Sequence, residues 1–313
     1  MVAWVITNFI LGLVAIWLGA NFVVESAVRI AKSLNLSRAF IGLTVLSVGT
    51  SLPEIFTHVF SSIDILKGLE ASAVSVGTNV GSNMIQISFI IGILGLVTII
   101  KADKKILKID YLVMLGAIAV LFIMALDGRI GRIEGVALVL AYILYIWVLA
   151  RREHLVEVTE YKANYWKEGA IMLFGLVVLG VAANSVVMHA LDISDAWGIS
   201  ASFIGVLIIG VSTALPEMTT ALVAILKGEH GLSLGTLVGS NITNPLFALG
   251  IGAAISGYTI ENTILWYDIP CWFFASVLLL LFFWKKLHIN KRQALVMILI
   301  YIAYGLFRIK LFI

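Results

Sequence analysis

With 61% hydrophobic and 12% charged residues in 313, the chain cannot make an ordinary soluble domain, where charged residues account for about 25%. Its mean hydropathy of +1.07 assigns it to the polytopic membrane proteins. The formal net charge of +3 is more informative loop by loop than as a total, and the one cysteine, Cys271, excludes intrachain disulfides.

In chain order, apolar runs long enough to cross a hydrocarbon core of ~30 Å are predicted at 4–28, 40–63, 71–99, 111–126, 133–150, 169–190, 202–226, 232–258, 264–284 and 293–311. The first lacks a basic leader and exceeds the usual length of a signal-peptide core, so it is read as a retained helix. The longest polar stretch, 151–167, is too short for a domain and divides 1–150 from 168–313, with five runs on each side. An odd number of spans per half makes the second half enter the membrane from the opposite face. That inverted topology is the arrangement of secondary transporters.

Sixteen of the 21 Lys and Arg residues fall in loops on one side; the other side has Lys67, Arg129, Arg132, Arg308 and Lys310. Basic residues near helix ends stay cytoplasmic, which puts the linker inside and both termini outside. The clusters read as solvated loop ends, so no nucleic-acid partner is expected. Trp166, Trp266, Trp272 and Trp284 lie near helix ends and read as interfacial anchors, and Glu25 is expected to pair with Arg29 one turn on.

Within the apolar runs the chain repeats itself. Ser37 to Glu54 reads SRAFIGLTVLSVGTSLPE and returns as Ser200 to Glu217, SASFIGVLIIGVSTALPE. A second motif, Gly77 to Asn83 (GTNVGSN), returns as Gly235 to Asn241 (GTLVGSN), six of seven positions identical. Each half thus places a proline and a carboxylate inside one span, and a Gly-Ser-Asn interruption inside the next. A lone Pro-Glu could be a kink with a headgroup contact, but two at matching depth mark a functional site, because intramembrane acids are costly. The glycine pairs Gly77/Gly81 and Gly235/Gly239 alone read as close helix packing.

Spacing places Ser47, Thr50, Ser51 and Glu54 on one helix face, with Gly210, Thr213, Ala214 and Glu217 in the same register of the second copy. Ser82 and Gln86 share a face, as do Ser240 and Asn244. Pro53 and Pro216 withhold a donor from the helix ladder and free carbonyls in the preceding turn. Two carboxylates, hydroxyl and amide side chains and free carbonyls make an all-oxygen cage suited to Ca²⁺ or Na⁺, without the Cys or His cluster that zinc or copper favours.

Gly49-Thr-Ser-Leu-Pro-Glu54 with Gly77 and Gly81-Ser82, and Thr213-Ala-Leu-Pro-Glu217 with Gly235 and Gly239-Ser240, resemble the two alpha-repeats of the calcium/cation antiporter superfamily. The nearest branch is the prokaryotic sodium/calcium exchangers, and the likeness covers nearly the whole chain, with repeats at 37–98 and 200–258. It implies an all-α polytopic fold of ten transmembrane helices in two inverted five-helix repeats, with helices 2, 3, 7 and 8 broken. It also implies that Glu54 and Glu217, with the Thr50 and Thr213 carbonyls, hold Ca²⁺ at the midplane. Ser51 and Ser82 with the Ser47 carbonyl would form one flanking Na⁺ site, and Ser240 with the Gly210 carbonyl the other. The first and sixth helices would slide to alternate access. The chain is then no enzyme and has no cofactor. Its partners are the bilayer, in a prokaryotic plasma membrane, and the transported Ca²⁺ and Na⁺ (or H⁺), with a single chain sufficient for transport.

Three positions depart from the family pattern: Ala214 stands where the branch has Ser, Gln86 where it has Asn, and Asn244 where many relatives have an acid. With two carboxylates the centre balances one Ca²⁺ or two Na⁺, whereas three Na⁺ would leave it at +1, so weaker or lower-stoichiometry Na⁺ coupling is expected. His58, four residues past Glu54, is either a packing histidine or a proton-binding group that would make the chain a Ca²⁺/H⁺ antiporter. A cation channel is the alternative from another class; a membrane enzyme lacks a nucleophile, a histidine pair or a phosphate loop.

Overall fold

The computed structural model describes residues 2–69, 71–152, 162–196 and 201–312. Nearly all of them are helical, in ten stretches: α1 (Val2–Leu34), α2 (Arg38–Thr50 and Leu52–Leu66), α3 (72–97), α4 (Ile106–Asp127), α5 (Arg132–Arg152), α6 (Tyr165–Ala196), α7 (Ala201–Leu226), α8 (His230–Ser256), α9 (264–286) and α10 (Lys291–Phe312). Among the described residues, seven helices are long and apolar enough to cross a membrane, eight if the two segments of α2 count as one span. α3 and α8 form the centre, being 72% and 78% buried across their apolar windows, against 27% for α1 and 22% for α6. α1 and α6 pack along each other at the periphery. A Cβ on Gly175 would lie 2.8 Å from the Gly19 carbonyl oxygen, so main chain meets main chain there. Near one end of this pair Arg29 joins Glu168 at 2.8 Å, and Glu25 pairs with Arg29 at 3.5 Å and also with Lys227 at 2.7 Å.

Helix irregularities differ from the four breaks that the resemblance implies. α2 bends by 44° at Ser51, where Pro53 has no N–H to give the Gly49 carbonyl. α7 runs on as one helix with Pro216 inside it. In α3 and α8 the helix does not break at the Gly-Ser-Asn motif; it widens one turn later into π-type turns at Gln86–Ile90 and Asn244–Ala248. Pro245 is therefore not needed for widening, since the α3 turn has none. Such turns free side chains and carbonyls at functional positions.

Two more widened turns, Ile106–Asp110 and Ile264–Asp268, end in buried aspartates. Asp110 accepts from Arg152 at 3.1 Å and Tyr145 at 3.3 Å; Asp268 accepts from Arg308 at 2.9 Å and Tyr304 at 2.7 Å. These matched clusters pin α4 to α5 and α9 to α10, and the repeat motifs gave no sign of them. Two short antiparallel ribbons join the halves: β1 (Ile100–Lys101) pairs with β4 (His288–Ile289), and β2 (Arg129–Ile130) with β3 (Tyr258–Thr259).

Trp166, Trp266 and Trp284 are exposed, but Trp272, also expected to be an anchor, is not. It is fully buried, because its indole N–H has a partner in the protein centre.

Of the two glycine pairs only Gly235/Gly239 packs closely; a Cβ on Gly81 would meet nothing within 4 Å, and one on Gly77 only Ile264 Cδ1 at 3.7 Å. A Cβ on Gly239 would lie 2.7 Å from Ser47 Cβ, and one on Gly42 would lie 2.6 Å from the Leu232 carbonyl oxygen, so α2 and α8 cross backbone to backbone. Gly42→Ala is expected to destabilise the protein by about 2 kcal/mol through overpacking. Gly116→Ala, whose Cβ meets nothing within 4 Å, should be neutral. Thermal unfolding of the two detergent-purified variants checks this; equal melting temperatures would contradict it.

Candidate functional site

Glu54 stands in the first turn of the second α2 segment, just past the bend, where the helix N-terminus favours negative charge. It is 1% exposed and accepts from Ser82 Oγ at 3.0 Å. Glu217, next to Pro216 in α7, is 0% exposed and accepts from Ser51 Oγ at 3.2 Å and Ser240 Oγ at 3.5 Å. Repeat-equivalent serines thus serve repeat-equivalent glutamates, and Ser51 reaches across from one half to the other. Ala214 has no hydroxyl with which to return that bond to Glu54.

A relay of donors converges on Glu54. The Trp272 indole, which can only donate, gives its proton to Asn241 Oδ1 at 2.9 Å; Asn241 Nδ2 donates to Gln86 Oε1 at 2.9 Å; Gln86 Nε2 donates to Ser82 Oγ at 3.2 Å; and Ser82 donates to the carboxylate. Because Trp272 fixes the direction, the Gln86 oxygen is turned away from the glutamates and its N–H₂ toward them. A buried carboxylate is costly unless hydrogen-bonded, and this chain of dipoles offsets part of that cost.

Asn244, the repeat counterpart of Gln86, has the opposite arrangement. Its Nδ2 donates to Asn83 Oδ1 at 3.0 Å, and its Oδ1 is buried with no donor. Glu217 Oε2 is likewise buried without a donor. Each is a buried acceptor that no hydrogen-bond donor of this protein meets and that a cation would satisfy. Among the described residues no three His, Cys, Asp or Glu side chains gather, so the donor set is oxygen from hydroxyls, amides and two carboxylates.

The remaining predicted residues divide. Ser47 Oγ lies 3.4 Å from Thr243 Oγ1 and donates to the Leu43 carbonyl at 2.8 Å, and its own carbonyl accepts from Ser51 N at 3.1 Å. The Thr50 hydroxyl donates to the Leu46 carbonyl at 2.9 Å, and its side chain also lies within hydrogen-bonding reach of Glu217. Gly210 and Thr213 lie on α7 outside the residues whose side chains are described. His58 is buried on the same α2 face as Glu54, but its bonds go to Ser75 at 2.7 Å, Tyr258 at 3.1 Å and Asn79 at 2.9 Å. Sequence reasoning singled out none of Asn83, Asn241 and Trp272 as site residues. The first two carried a signal, since both end the repeated GSN; Trp272 carried none.

Helices of this length and apolarity, enclosing paired carboxylates and buried oxygens, define a multi-pass membrane transporter of inorganic cations. The family model for sodium/calcium exchanger protein matches residues 4–151 and 168–310, and the chain belongs to that family. It is 31% identical to an uncharacterised membrane protein of Methanocaldococcus jannaschii, over 94% of each chain. It is 25% identical to the sodium/calcium exchanger MaX1 of Methanosarcina acetivorans, over 94% of this chain and 95% of that one. Its fold matches solved structures of the sodium-calcium exchanger NCX_Mj with a TM-score of 0.83, at 29% identity over 97% of this chain and 98% of that chain.

Trp272→Phe removes the donor that directs the relay and leaves Asn241 Oδ1 buried without its partner. The expected loss is about 1–3 kcal/mol, read as a lower midpoint of thermal unfolding in detergent. An unchanged midpoint would contradict the relay.

Proposed function

We propose that the chain exchanges Ca²⁺ for Na⁺ across a prokaryotic plasma membrane by alternating access, with Glu54 and Glu217 as the shared carboxylates. The observation that carries this reading is that Glu217 Oε2 and Asn244 Oδ1 are buried acceptors that meet no donor, while Ser51 and Ser240 bind the other oxygen of Glu217. Ca²⁺ takes six to eight oxygens, so Ser240 and the carbonyls of Thr50 and Thr213 complete the set with the carboxylates. Ser51 and Ser82 with the Ser47 carbonyl, and Ser240 with the Gly210 carbonyl, serve the flanking Na⁺ positions. One ion must leave the carboxylates before the other binds, and that competition enforces exchange.

The architecture in this reading is ten spans in two inverted halves, 1–150 and 168–313, with the linker inside and the termini outside. The crosswise ribbons, the matched Asp110 and Asp268 clusters and the mirrored Ser82–Glu54 and Ser240–Glu217 bonds support it. So does the division of the basic residues between alternate loops.

Charge sets the coupling. With Asn244 neutral, the centre has two formal charges, which one Ca²⁺ or two Na⁺ balance; a third Na⁺ would be costly in low dielectric. The cycle is therefore electroneutral. In proteoliposomes, ⁴⁵Ca²⁺ uptake should be driven by an outward Na⁺ gradient and be indifferent to an imposed membrane potential. Uptake that tracks the potential would refute two-for-one coupling, and uptake indifferent to trans Na⁺ would favour a channel. Glu54→Gln and Glu217→Gln should each reduce Na⁺-driven uptake at least about a hundredfold, because losing one partner of a buried charge pair costs ~3–5 kcal/mol. Transport by the double variant at the native rate would end the proposal.

A further inference from the structure

Asn79, Asn83 and Asn244 are fully buried and close a ring of three hydrogen bonds. Asn79 Nδ2 donates to the Asn244 main-chain carbonyl at 2.9 Å, Asn83 Nδ2 to Asn79 Oδ1 at 3.3 Å, and Asn244 Nδ2 to Asn83 Oδ1 at 3.0 Å. A main-chain carbonyl only accepts, so the Asn79 atom facing it is the amide nitrogen. That one assignment propagates around the ring. Asn79 must present its oxygen to Asn83, Asn83 its oxygen to Asn244, and the Asn244 oxygen is the atom left over, buried and without a donor.

His58 is a second anchor for the same direction. Its Nε2 lies 2.9 Å from Asn79 Nδ2 and so accepts, which places the ring proton on Nδ1, 2.7 Å from Ser75 Oγ. Ser75 donates to the Tyr258 hydroxyl at 3.3 Å, and Tyr258 donates to the His58 carbonyl at 3.1 Å, so every proton in the cluster has an acceptor. The ring has no mate in the other half, where Leu237 occupies the place of Asn79 and Trp272 orients Asn241 instead.

We propose that Asn79, Asn83 and His58 are positioning residues that hold the Asn244 carboxamide with its oxygen toward the transported cation, making a neutral side chain a cation ligand. The inference rests on the ion site proposed above. Reversing Asn244 would face two oxygens at the Asn83 contact or force the whole ring to turn, against the fixed carbonyl and against His58. Asn244 thus lends the site an oxygen without a charge.

Two measurements on the purified full chain test this. In ¹⁵N-histidine NMR, the His58 signal, assigned by its disappearance in His58→Gln, should report the Nδ1-protonated tautomer. Asn79→Asp, which can only accept, should convert it to the Nε2-protonated form. In equilibrium ⁴⁵Ca²⁺ binding, Asn83→Leu should weaken affinity about ten-fold. In an Asn244→Asp background the same change should cost less than about two-fold, because a carboxylate offers an oxygen whichever way it turns. An Nε2-protonated His58 in the native protein, or equal Asn83→Leu penalties in both backgrounds, overturns the proposal. A native protein that binds no ⁴⁵Ca²⁺ defeats the ion-site reading itself, and the tautomer result, which needs no calcium, tells that failure apart from a wrongly assigned amide direction.

Discussion

Two carboxylates lie in the interior of a protein whose surroundings are hydrocarbon, and the rest of the centre is arranged around that fact. Taking a carboxylate from water into an apolar medium has an idealised cost of order 20 kcal/mol, so each glutamate must be surrounded by groups that prefer its presence. Ser82, Ser51 and Ser240 supply donors, and the α2 bend sets Glu54 in the first turn of a helix segment. The close crossing of α2 over α8 at Gly42 and Gly239 brings these helices near enough for short side chains to reach across.

The two halves repeat in sequence but not in the sense of their amide bonds. Trp272 is an obligate donor and drives a chain of N–H groups toward Glu54. The Asn244 carbonyl is an obligate acceptor and leaves an oxygen on the other side. The two amide chains therefore end differently, one in a donor to Glu54 and the other in an Asn244 oxygen that meets no donor. An internal repeat need not give a symmetric site when one side chain outside the repeated motif fixes a hydrogen-bond direction.

Much of this was legible in the sequence because it is local. Helical spacing brings Ser51, Glu54 and His58 to one face, and the repetition of Pro-Glu and Gly-Ser-Asn matches Ser82 with Ser240. The contrast of Ser51 with Ala214 translated directly into a bond present in one direction only. What stayed hidden depends on contacts between distant segments. Trp272 sits near the start of an apolar run like an interfacial anchor, and only the packing of α9 against α8 gives its indole a buried partner. Arg152 is 42 residues from Asp110, in a region without repeat similarity, so that cluster left no pattern to read. His58 was correctly placed beside Glu54 along the helix, but its ring is engaged by α3 and β3. The widened turns begin after the motif, with two further residues of regular helix, Met84-Ile85 and Ile242-Thr243, in between.

The short ribbons limit how such a molecule can move. β1 follows α3 but is tied to the connection before α10, and β2 follows α4 but is tied to the connection after α8, so each end of the central bundle is laced to the opposite half. Swinging one half as a rigid body against the other would tear both laces. α1 and α6 belong to neither, and they meet each other where Gly19 and Gly175 bring main chain to main chain, with Phe22, Val23 and Leu179 packed around the crossing. Neither ribbon ties that pair to the laced helices that hold the glutamates and their serines.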